Sequence, residues 1–390
     1  MRVLLSVDTV RMPLTGIGRY VYELAARLTR DENIDAIYFH DWIEGLMTEE
    51  ALLRRIEAEP ASSIARNRTR ASRVLRRLTS HVGRRLDLSG DQKGTRLPSN
   101  EQLVAHGPAF AMPPGDTPKV VTIADLSVIK YPHFHPPLRV EVISHDIRAA
   151  TRKADHLLTF SEFTRRELID ELKCAPERVT AVPLAADASF TPRDAASTNN
   201  TLARYGLGWR RYCLSVGTIE PRKQIDTLLD AFIRIDPALQ AQYPLVLIGD
   251  KGWLTAGTHA RIAHLQAQGR AYYLGYVPQA DLPMLYSAAA VCLFTSVYEG
   301  FGLPAVEAMA SGVPLIAAAA ASLPEVCGNG AAFVPPGDSD AIAQALVQLL
   351  SSPAFAADLA SRGCTAASRF TWQRTTTQTV NVYRQLLHRE

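Results

Sequence analysis

Almost everything that would mark a secreted, metal-binding or membrane-spanning protein is scarce in this chain. Its five cysteines (Cys174, Cys213, Cys292, Cys327 and Cys364) are scattered, with no C-x-x-C pair and no spacing that suits zinc. Cys213 and Cys292 fall within short apolar runs, which implies buried, reduced thiols in a cytosolic setting. No apolar run is long enough to span a bilayer. The N-terminus runs directly into a strand, Arg2 to Val7, without the pattern of a signal peptide. The expected location is cytoplasmic, with peripheral contact on the inner face of the plasma membrane left open. Charge of one sign is scarce as well: a formal net charge of +3 over 390 residues gives no reason to expect a nucleic-acid partner. What remains, 47% hydrophobic and 21% charged residues, is ordinary globular composition. The length exceeds what one core usually serves, so two domains are expected.

The most informative segment is Ser296-Val-Tyr-Glu-Gly-Phe-Gly-Leu-Pro-Ala-Val-Glu-Ala-Met-Ala-Ser-Gly-Val-Pro314. It predicts a buried strand (Ala290 to Thr295), a glycine turn, and a helix beginning near Leu303. At that helix start the N–H groups of Gly300, Phe301 and Gly302 lack partners, and such amides bind phosphate. Gly300 and Gly302 carry no Cβ, so the backbone can approach an anion closely. Glu299 precedes the turn and Glu307 lies about one helical turn inside, so both carboxylates can flank a ligand seated there. A carboxylate beside a phosphate repels it unless it faces hydroxyl groups. A nucleotide sugar meets that condition: diphosphate on the amides, one Glu on the ribose, the other on the sugar. The same spacing also suits a plain strand–turn–helix, with Glu299 as cap and Glu307 in solvent.

Other elements support a ligand site. Tyr212 to Gly217 is a strand, and Glu220-Pro-Arg222-Lys223 follows its C-terminal end. Cations at a helix start oppose its dipole, so their presence needs a reason. Neutralising a diphosphate supplies one, with Arg222 as a fork and Lys223 as a point charge. Strands and helices then alternate (Leu245 to Ile248, His259 to Gln268, Tyr272 to Leu274, Ala280 to Ser287, Val291 to Thr295), which implies a parallel sheet with right-handed crossovers. Near the N-terminus a loop, Thr15-Gly-Ile-Gly18, leads into a helix from Arg19 to Leu28. A dinucleotide fingerprint needs a third glycine where Val21 stands. Val120 to Asp125 forms a strand end, followed by His133 and His135 in a proline-bounded loop. Ser161 reads as an N-cap, with Glu162 in the first turn. Thr191 to Asn200 is polar and without apolar periodicity, so 194–205 is expected to be an interdomain linker. Asp338-Ser-Asp340 suits a helix cap with first-turn acid, and no metal site is expected.

The frame from Glu299 to Pro314, with Glu-x-Arg-Lys upstream, resembles the signature of retaining family 4 glycosyltransferases. The resemblance implies an α/β GT-B fold: two facing Rossmann-like domains (1–193 and 206–371), a donor cleft between them, and a C-terminal helix (372–390) crossing back. It implies donor-diphosphate binding by Arg222, Lys223, Gly16, Gly18 and the amides of Gly300, Phe301, Gly302 and Leu303. Glu307 would hold the ribose, and the backbone at Tyr276, Val277 and Pro278 the base. Glu299 would position sugar hydroxyls and stabilise oxocarbenium character, with Asp125 beside it and no covalent nucleophile, metal or cofactor. Family members usually carry His-Asp at the end of the central strand, the His touching the sugar, whereas this chain has Ala124 there and retains Asp125. That departure keeps a non-catalytic GT-B binding or scaffold protein in view.

Gly217 to Lys223 together with Ala321-Ser-Leu-Pro-Glu325 looks like bacterial mannosyl- or rhamnosyltransferases of O-antigen and capsule assembly. The expected donor is GDP-mannose or GDP-rhamnose and the acceptor a lipid-linked glycan, with UDP- and dTDP-sugars as alternatives. Residues of about 45 to 115 are the least family-like. Arg66, Arg68, Arg70, Arg73, Arg76, Arg77, Arg84 and Arg85 crowd one amphipathic stretch there. An anionic membrane surface attracts each such cation by ~1 kcal/mol; a solvated surface helix has the same pattern.

Overall fold

The computed structural model describes residues 1–12, 14, 16–57 and 102–388. The first sheet contains β1 (Arg2–Ser6), β2 (Ala36–Asp41), β3 (Gly45–Met47), β4 (Leu103–Gly107), β5 (Lys119–Thr122), β6 (His156–Thr159) and β7 (Val179–Ala181). The second contains β8 (Cys213–Val216), β9 (Leu245–Ile248), β10 (Ala271–Gly275), β11 (Val291–Phe294), β12 (Leu315–Ala318) and β13 (Ala332–Val334). Their orders are β3-β2-β1-β4-β5-β6-β7 and β10-β9-β8-β11-β12-β13. All pairings are parallel except that of β3 with β2. Helices cover the sheet faces, which is why strands such as Leu245–Ile248 are apolar and buried throughout rather than alternating. Each strand order reverses once, at β1/β4 and at β8/β11. In open parallel sheets, such a reversal leaves a crevice beyond the strands' carboxyl ends, and ligands bind there. The loop after β8 carries Arg222 and Lys223, and the loop after β11 carries Glu299 to Gly302.

The chain passes between the two sheets after β7 and returns before the helix Trp372–Leu387. That helix packs on the first half: Tyr383 Oη lies 2.6 Å from His106 Nδ1, and Thr375 Oγ1 donates to the Pro183 carbonyl at 2.6 Å. The largest apolar cluster runs through both sheets, from Val3, Leu24 and Ile123 to Leu214, Phe294 and Met309, with Val380 and Tyr383 from this helix.

Two elements take a form the sequence did not suggest. Residues 194–205, expected as an interdomain linker, contain the helix Ala195–Arg204, capped by Asp194 accepting from Ser197 N at 2.8 Å. Its inner face is Thr198, Thr201 and Leu202, a stripe at helical spacing hidden from an apolar-periodicity reading by its two threonines. Arg204 and Tyr205 both reach Asp281, at 2.6 and 2.7 Å, and dock the element on the second half. The first helix starts at Gly16, not Arg19, so Gly16 and Gly18 stand in its opening turn rather than in a loop. The arginines from Arg66 to Arg85, and Thr15, lie outside the described residues. Among the described residues no single helix is long and apolar enough to cross a membrane.

Candidate active site

Adjacent strands β8 and β11 bring their outgoing loops into contact. Past Gly217, Pro221–Lys223 forms one 3-10 turn that leads into the helix Ile225–Arg234. Arg222 Nη1 lies 2.7 Å from Glu299 Oε2, and Lys223 Nζ lies 2.5 Å from Glu299 Oε1. Arg222 also bonds the Tyr298 carbonyl at 2.7 Å and Glu220 Oε1 at 2.5 Å. Lys223 Nζ stands 4.8 Å from the centre of the Phe294 ring. Glu299 is only 8% exposed. Burial alone would keep its carboxyl protonated, yet the charges of Arg222 and then Lys223 outweigh that and hold it down at about 2. Two buried carboxylates thus balance two cations, and Glu299 occupies the cations expected to hold a diphosphate. A small cavity between these strand ends is lined by Ser215, Gly217, Lys223, Phe294, Thr295 and Ser296.

After Glu299 comes the turn that the sequence predicts. Gly302 has φ 94°, a left-handed value, and caps the helix Leu303–Ala310. The backbone N–H groups of Gly300, Phe301 and Gly302 donate to no group among the described residues. Glu307, one turn into the helix, is pushed up to about 7 by burial, against the opposing charge of Arg19 from the first helix. A Cβ at Gly16 would meet nothing within 4 Å. Tyr276, Val277 and Pro278 follow β10, two strands from β8 along the same sheet edge and apart from the Glu299 cluster.

The opposite wall comes from the first sheet. A Cβ built on Gly300 would fall 1.8 Å from the Ala124 carbonyl oxygen and 2.9 Å from Asp125 Cβ, so the glycine turn lies directly against the end of the β5 segment. Asp125 Oδ1 accepts from Ser127 N at 2.8 Å, which fixes its side chain. Ser161 caps the helix Glu162–Leu172, as expected, and its hydroxyl also donates to the Gly300 carbonyl at 2.7 Å. Glu325, from the second half, accepts from the amides of Glu162 and Phe163 at 2.8 Å each, completing that helix start. Tyr298 Oη accepts from Leu126 N at 3.2 Å and hydrogen-bonds Glu167. Trp253 Nε1 donates to the Phe134 carbonyl at 2.6 Å. Sequence reasoning missed Glu220, Tyr298 and Trp253 as parts of this interface. Glu220 and Glu325 do stand inside the motifs quoted above, which was the available signal. Asp338 accepts from Ala341 N at 2.9 Å as a cap, and Asp340 pairs with Arg234 at 2.8 Å.

Residues 207–365 match the family model described as Glycosyl transferases group 1. Over 389 residues, covering 99% of this chain and all of the relative, the sequence is 34% identical to O-antigen chain mannosyltransferase B of Escherichia coli. Two crystal structures share the fold. WaaG, a glycosyltransferase involved in lipopolysaccharide biosynthesis, matches with a TM-score of 0.70 at 16% identity, over 98% of this chain and 99% of that one. Anabaena Alr3699/HepE in complex with UDP and glucose matches with a TM-score of 0.70 at 17% identity, over the same shares of each chain.

Proposed function

This chain belongs to the group 1 glycosyltransferases, and we propose that it moves a mannosyl group from GDP-mannose to a lipid-linked glycan acceptor of O-antigen assembly, with retention at the anomeric carbon. GDP-rhamnose, a 6-deoxy relative, is the neighbouring donor. The observation that carries the reading is the Arg222–Lys223–Glu299 cluster set beside the unpaired amides of Gly300 to Gly302. A donor diphosphate takes Glu299's place as counter-ion to both cations and accepts from those amides, with Gly16 and Gly18 closing over it. Glu299 is released toward the sugar hydroxyls and stabilises positive charge as the glycosidic bond to phosphate breaks. Leaving-group charge is thus met by groups already in place, the cheapest kind of electrostatic catalysis. Contact between the two halves excludes water and protects the donor from hydrolysis. Ala124 favours a second reading, a protein that binds donor without turnover.

Thermal unfolding with GDP, UDP, dTDP and ADP tests the assignment. A ligand at 100 times its Kd stabilises the native state by ~2.7 kcal/mol, so a shift selective for GDP is the expected outcome. A shift with UDP or dTDP replaces the donor, and no shift with any nucleotide overturns the site. Donor binding with no transfer to any acceptor supports the second reading.

Glu307 gives the site a pH dependence. A ribose diol is held best by an ionised carboxylate, and this one titrates at about 7. GDP affinity is expected to rise as pH increases from about 6 to about 8, and Glu307→Gln should flatten that rise. The effect on folding has the opposite sign. The half-buried carboxyl prefers its proton, so the free protein loses stability as pH climbs from the usual carboxylate range through 7.

A further inference from the structure

His135 stands in the cleft wall without a hydrogen-bond partner among the described residues. It is 5% exposed, and neither ring nitrogen has a hydrogen-bond partner among the described residues. The charged groups that face it are Arg139, Glu220, Asp125 and Arg222, drawn from both halves of the molecule. Leaving a buried polar group unpaired costs roughly 1–3 kcal/mol. An apolar side chain of similar size would avoid that loss, so the position is built for something other than packing. Its neighbour His133, by contrast, is exposed.

The loop that carries His135 is firmly held. Pro132–Phe134 forms a 3-10 turn, and the helix Pro137–Lys153 begins two residues after the histidine. From the second half, Trp253 bonds the Phe134 carbonyl at 2.6 Å and sets its ring 6.0 Å from the His135 ring. The Arg139 guanidinium lies 5.3 Å from the centre of the same indole. His135 is therefore held in place by Trp253 of the opposite wall and by its own helix start.

We propose that His135 hydrogen-bonds the hydroxyls of the transferred sugar, from its place beside the Arg222 cluster. The inference rests on the reading of the cleft as a nucleotide-sugar site. Burial, with the charge of Arg139, keeps the ring in its neutral form. A neutral imidazole offers one donor and one acceptor, which matches a hydroxyl that is also both.

The test uses the full chain with GDP and GDP-mannose as probes, measured by calorimetry, on the wild type, His135→Leu and His135→Gln. Wild type should bind GDP-mannose about tenfold more tightly than GDP, the difference one well-made hydrogen bond supplies. In His135→Leu that preference should vanish while GDP affinity stays within about twofold and the melting temperature rises, since an orphaned polar group has been removed. His135→Gln, which keeps a donor and an acceptor, should recover part of the preference and covers the case of a leucine variant that does not fold. An undiminished sugar preference in the leucine variant overturns the inference, as does equal binding of the two probes by wild type. Loss of GDP binding in the leucine variant assigns the residue to structure and overturns it too. Failure of wild type to bind either probe removes the GDP-mannose reading itself, and the inference with it.

Discussion

Glu299→Gln lowers turnover of the donor by about 100- to 1000-fold, the size expected when one preorganised electrostatic group is removed from a site, while affinity for GDP holds or increases. The split follows from what Glu299 touches. With no donor bound it neutralises Arg222 and Lys223 at 2.7 and 2.5 Å, so it competes with a diphosphate for the same two cations. Taking its charge away frees both for GDP. On the proposed mechanism the transition state loses an anion just as the sugar becomes cationic, and only interactions stronger in the transition state than in the ground state affect that step. Glutamine is the better substitution because its side-chain oxygen can still accept a hydrogen bond from Arg222 or Lys223, whereas alanine leaves a cavity as well as two unbalanced cations. Steady-state kinetics with GDP calorimetry checks both halves of the claim. A variant with full turnover removes Glu299 from the site. Arg222→Ala is expected to behave differently and lose GDP affinity along with turnover, since it takes a phosphate partner from the ground state as well.

Gly300→Ala also strips activity, by a mechanism with no chemistry in it. The new Cβ would lie 1.8 Å from the Ala124 carbonyl oxygen and 2.8 Å from its carbon. Non-bonded carbon atoms settle at about 3.5–4.0 Å, and a backbone carbonyl cannot swing aside as the end of a flexible side chain can. The two walls must part by an ångström or more. Misplacement on that scale costs about 100-fold in rate, so transfer falls by at least that much. GDP binding weakens less than transfer does, because the ion-pair and hydrogen-bond partners of Arg222 and Lys223 (Glu220, Tyr298 and Glu299) all lie in the second half. Turnover measured beside small-angle scattering should show a slower and more open protein. Normal turnover would mean that the closed arrangement is not the reactive one. Gly16→Ala is the control: its Cβ meets nothing within 4 Å, so any activity it loses reports a ligand rather than packing.

Motif and topology were legible because each is local. Apolar runs separated by helical periods located four of the six strands of the second sheet, β8 to β11, and Leu245–Ile248 agrees to the residue, whereas β12 and β13 were not picked out. The turn from Glu299 to Leu303 announced itself by two glycines between two carboxylates. The contacts across the cleft were not legible, since each joins residues more than a hundred positions apart by a single hydrogen bond, as Ser161 joins Gly300 and Trp253 joins Phe134. The same holds for the pairing of Glu299 with Arg222, which becomes visible only once β8 and β11 are known to be neighbours. The helix Ala195–Arg204 escaped because threonine at a buried position satisfies its own hydroxyl: Thr198 Oγ1 donates to the Asp194 carbonyl at 3.1 Å. Such a residue looks polar in sequence and packs as apolar in the fold.

The bond from Thr375 to the Pro183 carbonyl ties the helix Trp372–Leu387 to the stretch that follows β7. It joins the two places where the chain crosses between the sheets, so both covalent connections stand side by side. A body joined to another along a single edge swings more readily than it slides. On the proposed function, admitting a donor and aligning it for transfer would be two settings of one angle, and a substitution along that edge is expected to change both together.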